Sequence, residues 1–218
     1  MRTNEIVLLL GGPGSGKGTQ AVGLAKLLGV PHLASGDLLR DHRQRGTDLG
    51  RRAQSAMDNG DLVPDELVTT MVLQRLGEAD ALGGALLDGF PRDVPQAEAL
   101  DCAVGEHAAT LQAIYLDVSQ EALAGRLSGR RTCPVCHASY HVDANPPIEE
   151  DHCDGCGAAL VQRPDDCAEV VRHRIEVYLR ETLPVVEHYT RLGVLHRVDG
   201  DRPIELISAD LQRLALRH

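Results

Sequence analysis

A glycine-rich turn that ends in a lysine directly follows an apolar run near the start of the sequence. Residues 5–19 read Glu-Ile-Val-Leu-Leu-Leu-Gly-Gly-Pro-Gly-Ser-Gly-Lys-Gly-Thr. Glycine permits backbone angles that other residues resist, so successive N–H groups can point at phosphate oxygens, and Lys17 adds a mobile positive charge. A helix beginning here directs the positive end of its dipole to the same point. The segment therefore predicts a site for the phosphates of a nucleoside triphosphate.

The turn departs from the usual motif at one position. That motif has Ser or Thr directly after the lysine, where the hydroxyl holds magnesium, whereas here Gly18 precedes Thr19. A glycine-rich turn that binds nothing is the alternative interpretation. The apolar strand before the turn and the amphipathic run Gln20–Leu28, which Gly29 stops, supply the context that a nucleotide site needs.

Four of the six cysteines form two C-x-x-C pairs, which is a metal-ligand pattern. Cys133-Pro-Val-Cys136 and Cys153-Asp-Gly-Cys156 are separated by 16 residues, the spacing of a tetrahedral zinc site with four cysteine ligands. Two disulfides, a redox pair and unrelated free thiols are the alternatives, but the cytosol would keep thiols reduced and a redox motif needs only one pair. Four thiolates leave no position for water, so the predicted zinc is structural.

Three histidines lie close to these cysteines in the sequence. His137, His141 and His152 are each capable of replacing a cysteine ligand, although histidine beside such a motif is more often solvated. Cys102 and Cys167 stand outside the pattern and are interpreted as ordinary thiols.

Short apolar runs alternate with segments of helical periodicity along the chain. Each run is bounded by glycine or polar residues, and the intervening segments are long enough for crossover helices. This order is typical of an α/β fold with a parallel sheet flanked by helices. Strands are predicted at Glu5–Leu10, Ala85–Asp88, Leu111–Asp117 and Val194–Val198.

Two segments interrupt the α/β pattern. Three helices are predicted between the first two strands, where a simple crossover needs fewer, and they indicate a helical subdomain. They lie at Asp37–Arg43, Asp48–Met57 and Pro64–Leu76. Further on, helical periodicity stops and Cys, Gly, Pro and Asp accumulate, as in an inserted module. We therefore divide the chain into a core (1–33, 64–128 and 167–218), a helical insert (34–63) and a cysteine insert (129–166).

The composition limits the partners and the location. The net charge of −10 and the single Phe with no Trp argue against nucleic acid as a partner. The apolar run Ile6–Leu10 is too short for a signal peptide, and no stretch approaches the length of a membrane span. We expect a cytoplasmic protein with neither a membrane nor a nucleic-acid partner.

Together the motifs resemble those of the adenylate kinase family, in its long form with a zinc-binding lid. Gly11–Thr19 resembles the phosphate loop of the family, Ser35–Arg40 and Gly60–Glu66 its monophosphate-binding segments, and Leu87–Arg92 followed by Gln96 its signature. The lid and hinge motifs follow in the same order: Arg126, Gly129–Arg131, Tyr140–His141, Asn145–Pro147, Arg163, Asp165–Asp166, Arg172 and Arg174. The resemblance spans nearly the whole chain and implies a P-loop NTPase-type core with a monophosphate-binding insert and a zinc lid.

The resemblance implies an AMP site in which arginines clamp the phosphate and the Gln96 amide reads the edge of adenine. Ser35 stands where many members have Thr, and each arginine taken singly has a solvated surface charge as its alternative. The implied AMP residues are Ser35, Arg40, Asp61, Leu62, Val63, Gly89, Arg92, Gln96, Arg163 and Arg174.

The resemblance also implies an ATP site and a catalytic set. ATP would be bound by Gly14, Ser15, Gly16, Lys17, Gly18, Thr19, Arg126, Arg130, Tyr140 and Arg202. The groups expected on the transferring phosphoryl are Lys17, Arg92, Arg126, Arg130, Arg163 and Arg174.

Asp88 is the candidate magnesium anchor. It ends a predicted strand, where open α/β sheets place functional groups, and it could hold Mg²⁺ through water. A capping or turn aspartate is the alternative.

The predicted function is reversible, magnesium-dependent phosphoryl transfer, ATP + AMP to two ADP, by a monomer with structural Zn²⁺. Hinges are expected at Gly129 and near Arg163–Asp166, where Pro164 departs from the family pattern. The nearest alternatives are a GTP-using AMP phosphotransferase and a related nucleoside monophosphate kinase. A non-catalytic nucleotide switch and a zinc-dependent interaction module remain as alternatives from other classes.

Overall fold

The computed structural model describes residues 5–106 and 109–215. The strands are β1 (Glu5–Gly11), β2 (His32–Ala34), β3 (Gly84–Asp88), β4 (Thr110–Asp117), β5 (Arg130–Thr132), β6 (Ser139–His141) and β7 (Leu195–Asp199). The helices are α1 (Lys17–Leu28), α2 (Ser35–Gln44), α3 (Asp48–Asn59), α4 (Asp65–Leu76), α5 (Val94–Glu106), α6 (Gln120–Ser128), α7 (Ala168–Val177), α8 (Leu183–Arg191) and α9 (Ile204–Ala215).

The main sheet is parallel and has the order β2-β3-β1-β4-β7. β1 lies at its centre, where Leu8 faces Leu87 on β3 and Ala113 on β4. The four predicted strands and the α/β fold class are thereby confirmed. β2 was not predicted from the sequence.

Helices cover both faces of the sheet, as the continuous apolar strands require. Leu8 and its alternate neighbours on β1 belong to the larger core cluster, with residues of α4, α5, α6 and α8. Val7 and Leu9 point the other way and pack with residues of α1 and α9. Each apolar residue of β1 is therefore buried, and the loop that follows this strand has a rigid support.

The helical insert contains α2 and α3, which lie close to their predicted positions. The Thr47 hydroxyl accepts a hydrogen bond from Gly50 N at 3.1 Å and caps the start of α3. Gly60 ends this helix with φ at 79°, a left-handed conformation that favours glycine. A Cβ atom at Gly60 would lie 2.7 Å from Cγ of Arg174, so the end of the insert packs closely against α7.

The cysteine insert is a small β structure with its own apolar centre. β5 and β6 pair antiparallel, and Thr132 forms a bridge with Val161. Cys133, Cys153 and Leu160 are buried together, separately from the two larger clusters. So few apolar residues give the insert little hydrophobic stabilisation of its own.

Two irregular turns border α7. A 3₁₀ turn over Pro164–Asp166 leads into it from the cysteine insert, and a π-helical turn over Tyr178–Thr182 joins it to α8. Within the described ranges, no helix combines the length and hydropathy needed to cross a bilayer.

Candidate active site

A cavity of about 730 Å³ opens where β1 and β3 end, which is where open parallel sheets bind ligands. The loop before α1, the helical insert, the cysteine insert and the segment from Arg202 to Ile207 all contribute to its walls. Apart from the cysteine ligands, every site residue predicted from the sequence lines this cavity except Ser35 and Gln96. The fold thus brings together groups that are up to 188 positions apart in the sequence, from Gly14 to Arg202.

The phosphate loop has the backbone that its glycines predict. Gly14 and Gly16 have φ of 85° and 91°, and α1 begins directly after Gly16. A Cβ atom at Gly14 would lie 2.9 Å from the carbonyl oxygen of Leu123, so only glycine fits against α6 there. The loop therefore presents backbone N–H groups and a helix N-terminus to the cavity.

Lys17 lies at the bottom of this loop. Its Nζ donates to the carbonyl oxygens of Gly11 at 2.8 Å and Gly12 at 2.9 Å. The pKa of Lys17 is lowered to about 8, mainly by burial; the charge of Asp88 opposes this shift and the charges of the nearby arginines contribute to it. A bound anion at this point would restore the pKa of the ammonium group.

Asp88 ends β3 and faces the same loop. A Cβ atom at Gly18 would have Oδ2 of Asp88 as its nearest neighbour, at 3.7 Å. Burial raises the pKa of Asp88, but the neighbouring His32 and the charge of Lys17 outweigh it, so the pKa lies below its usual value. A partly buried, ionised carboxylate beside a phosphate loop fits an anchor for hydrated Mg²⁺.

His32 is a cavity residue that sequence reasoning missed. Its Nε2 lies 3.5 Å from Oδ2 of Asp88. The only sequence signal was its position three residues before Ser35, because the short β2 brings it beside the end of β3.

Arginines from the core and from both inserts line the cavity. Arg130 donates from Nε to Oδ2 of Asp166 at 2.7 Å, and Arg174 donates to Oδ1 of the same carboxylate at 3.0 Å. Arg92 donates to the carbonyl oxygen of Gly89 at 2.8 Å. Asp166 has a fully buried side chain, and it was expected at a hinge and not as a partner of the cavity arginines.

These arginines repel one another. Burial lowers the pKa of Arg92 to about 10, and the charge of Arg174 adds to this effect. Burial similarly lowers the pKa of Arg163 to about 9, with contributions from Arg40 and Arg130. The Nε atom of Arg163 is buried without a hydrogen-bond partner among the described residues. Such a concentration of positive charge is suited to a polyanionic ligand.

Ser35 and Gln96 lie behind the cavity wall. Each is about 1% exposed. The Ser35 hydroxyl donates to the carbonyl oxygen of Gly89 at 2.6 Å, and the Gln96 side chain accepts from Arg92 N at 3.0 Å. The Gln96 amide nitrogen donates to Asp65 and Asp93. In this structure both residues support the segment from Gly89 to Arg92 instead of facing the cavity.

Three further residues that were expected to bind ATP also line the cavity: Arg126, Tyr140 and Arg202. Arg126 donates to the carbonyl oxygen of Gly200 at 2.9 Å, and Arg202 donates to that of Asp199 at 3.1 Å. Both side chains are thus held at the loop after β7. Tyr140 reaches the cavity from β6 of the cysteine insert.

The four predicted metal ligands lie together. The sulfur atoms of Cys133, Cys136, Cys153 and Cys156 are all within 4.8 Å of one another, and His137, His141 and His152 do not belong to this group among the described residues. Sulfur–sulfur distances of 3.4 and 3.7 Å are close to the roughly 3.8 Å edge of a tetrahedron with 2.3 Å metal–sulfur bonds. The donor set and its size fit Zn²⁺.

Tyr140 connects the cysteine cluster to the cavity. Its hydroxyl lies 3.5 Å from the sulfur of Cys153 and accepts a hydrogen bond from Asp154 N at 2.9 Å. The hydrogen bond from Tyr140 lowers the pKa of the Cys153 thiol to about 6, which favours the thiolate that a metal requires. The same side chain therefore touches both sites.

The parallel sheet carries a phosphate loop, and arginines from both inserts line the same cavity. These features define a nucleotide-binding phosphotransferase of the P-loop class. The family model described as adenylate kinase matches residues 9–194. The chain belongs to the adenylate kinase family, as its motifs predicted, and it is a phosphotransferase enzyme.

Proteins named adenylate kinase from several organisms are similar to nearly the whole chain. The relative from Caldanaerobacter subterraneus subsp. tengcongensis is 45% identical over 211 residues, which cover 96% of each protein. The relative from Lachnospira eligens is 44% identical over 209 residues, 95% of this chain and 98% of the other. The relative from Methanocella arvoryzae is 46% identical over 206 residues, 94% of this chain and 95% of the other.

Proposed function

We propose that the protein catalyses reversible, magnesium-dependent phosphoryl transfer from ATP to AMP, giving two ADP. Family membership carries the reaction class, which is phosphoryl transfer between adenine nucleotides. The observation that supports two nucleotides in one site is the cavity itself, which is lined by the phosphate loop and also by Arg40 and Arg92.

The donor half is built around the phosphate loop. Gly14–Thr19 would cradle the triphosphate, and Lys17 would exchange its hydrogen bonds with Gly11 and Gly12 for phosphate oxygens. Arg126, Tyr140 and Arg202 surround the part of the cavity where the rest of ATP would lie. The loop after β7 holds Arg126 and Arg202, and the cysteine cluster holds Tyr140. These contacts support a donor site whose side chains are positioned before ATP binds.

The acceptor half is built around the helical insert. Arg40 and Arg92 would clamp the phosphate of AMP, while Asp61, Leu62, Val63 and Gly89 lie beside the expected position of the base. Ser35 and Gln96 would act here through the segment that they support. For Gln96 to read adenine directly, its amide would have to leave Asp65 and Asp93.

The attacking group is already a phosphate oxygen of AMP, so the reaction needs alignment and charge stabilisation more than a strong general base. Arg130, Arg163 and Arg174 line the same cavity and would stabilise the charge that spreads over the transferring group. Mg²⁺ supplies further charge neutralisation when it is bound with the nucleotide, and Asp88 would hold it through water.

Water is the rival nucleophile, so we propose that the two inserts close over the substrates. The moving units would be residues 34–63 and 129–166, on the core formed by 1–33, 64–128 and 167–218. The cysteine insert meets the core at Gly129, which ends α6, and at the 3₁₀ turn Pro164–Asp166. Closure would complete the site only when both nucleotides are bound.

The metal of the cysteine insert is proposed to be structural Zn²⁺ on Cys133, Cys136, Cys153 and Cys156. Four sulfur ligands fill its coordination sphere, so it supplies folding energy to the insert and takes no part in the transfer. We also propose that the enzyme is a cytoplasmic monomer. One chain supplies both halves of the cavity, and reducing conditions keep the four thiolates available.

The test is product analysis by nucleotide chromatography with Mg²⁺, pairing ATP or GTP with AMP, GMP, CMP and UMP in turn. ADP is expected from ATP and AMP, with little transfer to the other monophosphates. A strong preference for GTP would instead assign the donor as a guanine nucleotide. Absence of transfer in every pairing, with nucleotide still bound, would contradict the proposal and favour a switch.

A further inference from the structure

The two halves of the cysteine cluster have the same backbone geometry. In the first, His137 N donates to Cys133 O at 3.1 Å and Cys133 N donates to Ala138 O at 2.9 Å. In the second, Gly157 N donates to Cys153 O at 2.8 Å and Cys153 N donates to Ala158 O at 2.9 Å. His137 and Gly157 therefore occupy equivalent positions, directly after the second cysteine of each pair.

Both equivalent positions are left-handed, but only one is glycine. Gly157 has φ of 72° and His137 has φ of 61°. This conformation is free of strain for glycine and costs free energy for a residue with a Cβ atom. Histidine at position 137 thus makes the first half of the cluster less stable than glycine at the same position would.

Steric space does not explain the difference, since a Cβ atom at Gly157 would meet nothing within 4 Å. Location does distinguish the two positions. His137 lines the cavity that contains the phosphate loop, whereas Gly157 does not. The other described non-glycine residue with positive φ, Asp151, also lies outside the cavity lining.

The His137 side chain has free hydrogen-bonding capacity. It is partly buried, and its imidazole makes no hydrogen bond or ion pair to any residue within 5–106 or 109–215. It also stays outside the group of four sulfur ligands. Strained residues that persist at a cavity wall are typical of ligand-binding sites, where a ligand contact offsets the strain.

We propose that His137 is a donor-nucleotide binding residue, whose imidazole forms a hydrogen bond with bound ATP when the cysteine insert covers the phosphate loop. The proposal rests on the proposed function, because it names a further residue for the same donor site. It assigns His137 to binding of ATP and not to the transfer step, which uses Arg130, Arg163 and Arg174.

The test is His137→Gly, with Gly157→Ala as the matched control. Loss of one hydrogen bond predicts that the dissociation constant for ATP, measured by titration calorimetry without AMP, rises by roughly 2- to 12-fold. The KM for ATP should rise in parallel, while kcat and the KM for AMP change less than about twofold. His137→Asn keeps a hydrogen-bond donor and tolerates the left-handed backbone, so it should recover part of the affinity.

Zinc affinity distinguishes a binding role from damage to the insert. Relief of strain in His137→Gly should strengthen Zn²⁺ binding by roughly fivefold in a chromophoric chelator competition, whereas Gly157→Ala should weaken it by a similar factor without changing ATP affinity. An unchanged ATP dissociation constant in His137→Gly would overturn the proposal. If the parent protein binds ATP but fails to phosphorylate AMP, the proposed function fails and the binding test of His137 still applies.

Discussion

Asp166 holds Arg130 in a two-pronged ion pair, with Nε donating to Oδ2 at 2.7 Å and Nη2 donating to Oδ1. The Asp166 side chain is fully buried, and Oδ1 also accepts from Arg174 at 3.0 Å. One carboxylate at the end of the 3₁₀ turn thereby fixes two arginines that are 44 positions apart in the sequence. A residue at the border of the cysteine insert thus holds two arginines that line the cavity.

Asp166→Asn should lower kcat because a neutral amide cannot hold both guanidinium groups in the same orientation. Misplacement of groups that align a reaction typically costs about 100-fold, and we expect a loss of that order, with smaller changes in either KM. A coupled spectrophotometric assay measures kcat, and a thermal melt shows whether the variant is folded.

Asp80→Asn is the matched control. Asp80 forms a similar two-pronged pair with Arg75, with distances of 2.8 and 2.6 Å, but that pair is exposed and lies outside the cavity. Its loss should change the stability little, because exposed ion pairs contribute little, and should leave kcat unchanged. Equal kcat values for the two variants would contradict the positioning role of Asp166.

Lys17→Met should nearly abolish turnover, by about 100-fold or more, because it removes a preorganised charge from the transferring phosphates. Burial disfavours the ammonium group of Lys17, so methionine should leave the fold intact. The measurement is kcat together with the midpoint of thermal unfolding.

Lys26→Met serves as the control, since Lys26 is the only other lysine and is exposed on the same helix. It should retain full activity. Unaltered turnover in Lys17→Met would contradict the assignment of the phosphate loop.

Binding of ATP should take up protons above pH 8. The pKa of Lys17 is about 8 in the free protein, and the phosphates should raise it, so a neutral Lys17 gains a proton on binding and ATP affinity falls as pH rises. Calorimetry at pH 8.5 in two buffers with different ionisation enthalpies measures the uptake. An identical number of protons for the parent protein and Lys17→Met would exclude Lys17 as the source.

The lowered pKa of Lys17 should also make the free energy of unfolding increase as the pH rises above 8. The pKa of about 8 in the folded protein lies below the ordinary lysine value of 10.5, so the unfolded chain binds more protons between these two pH values. Below pH 8 the burial cost of the charged Lys17 is fully present, and it is relieved as pH rises toward 10.5. The free energy of unfolding of Lys17→Met should lack this increase, which denaturant titrations at pH 7.5 and 9.5 measure.

The elements with strong local signals were predictable from the sequence. Examples are β1, the glycine positions of the phosphate loop and the cluster of four cysteines. Their residue types and spacing are typical of few other local structures. In contrast, β2 has only three residues and a single buried apolar side chain, Leu33. Its strand conformation comes from pairing with β3, so local sequence does not specify it.

The residues that connect one part of the site to another were harder to predict. Asp166 was expected only as part of the lid and hinge motifs, and its contacts with Arg130 and Arg174 depend on the fold. The position of His32 beside Asp88 likewise depends on the pairing of β2 with β3. Gln96 is the opposite case, since the family resemblance gave it a role that the contacts do not display. It was expected to read adenine, but its amide nitrogen donates to Asp65 and Asp93. Such contacts depend on tertiary structure and leave no periodic pattern in the sequence.

Removal of metal from the cysteine insert should unfold that insert while leaving the parallel sheet folded. The insert has only a small apolar cluster, whereas the core has two large ones, so the proposed metal–sulfur bonds would provide most of the stability of the insert. Loss of the insert should also weaken ATP binding, because Tyr140 reaches the cavity from it. Released metal is quantified with a chromophoric chelator, and far-ultraviolet circular dichroism reports the remaining core.

Cys136→Ser and Cys102→Ser make the comparison specific to the cluster. Both cysteines are exposed, but only Cys136 belongs to the group of four sulfur atoms. Cys136→Ser should lose most bound metal and much of the ATP affinity, whereas Cys102→Ser should match the parent in both. If Cys136→Ser kept the thermal midpoint and ATP affinity of the parent after verified metal loss, the metal would have no structural role.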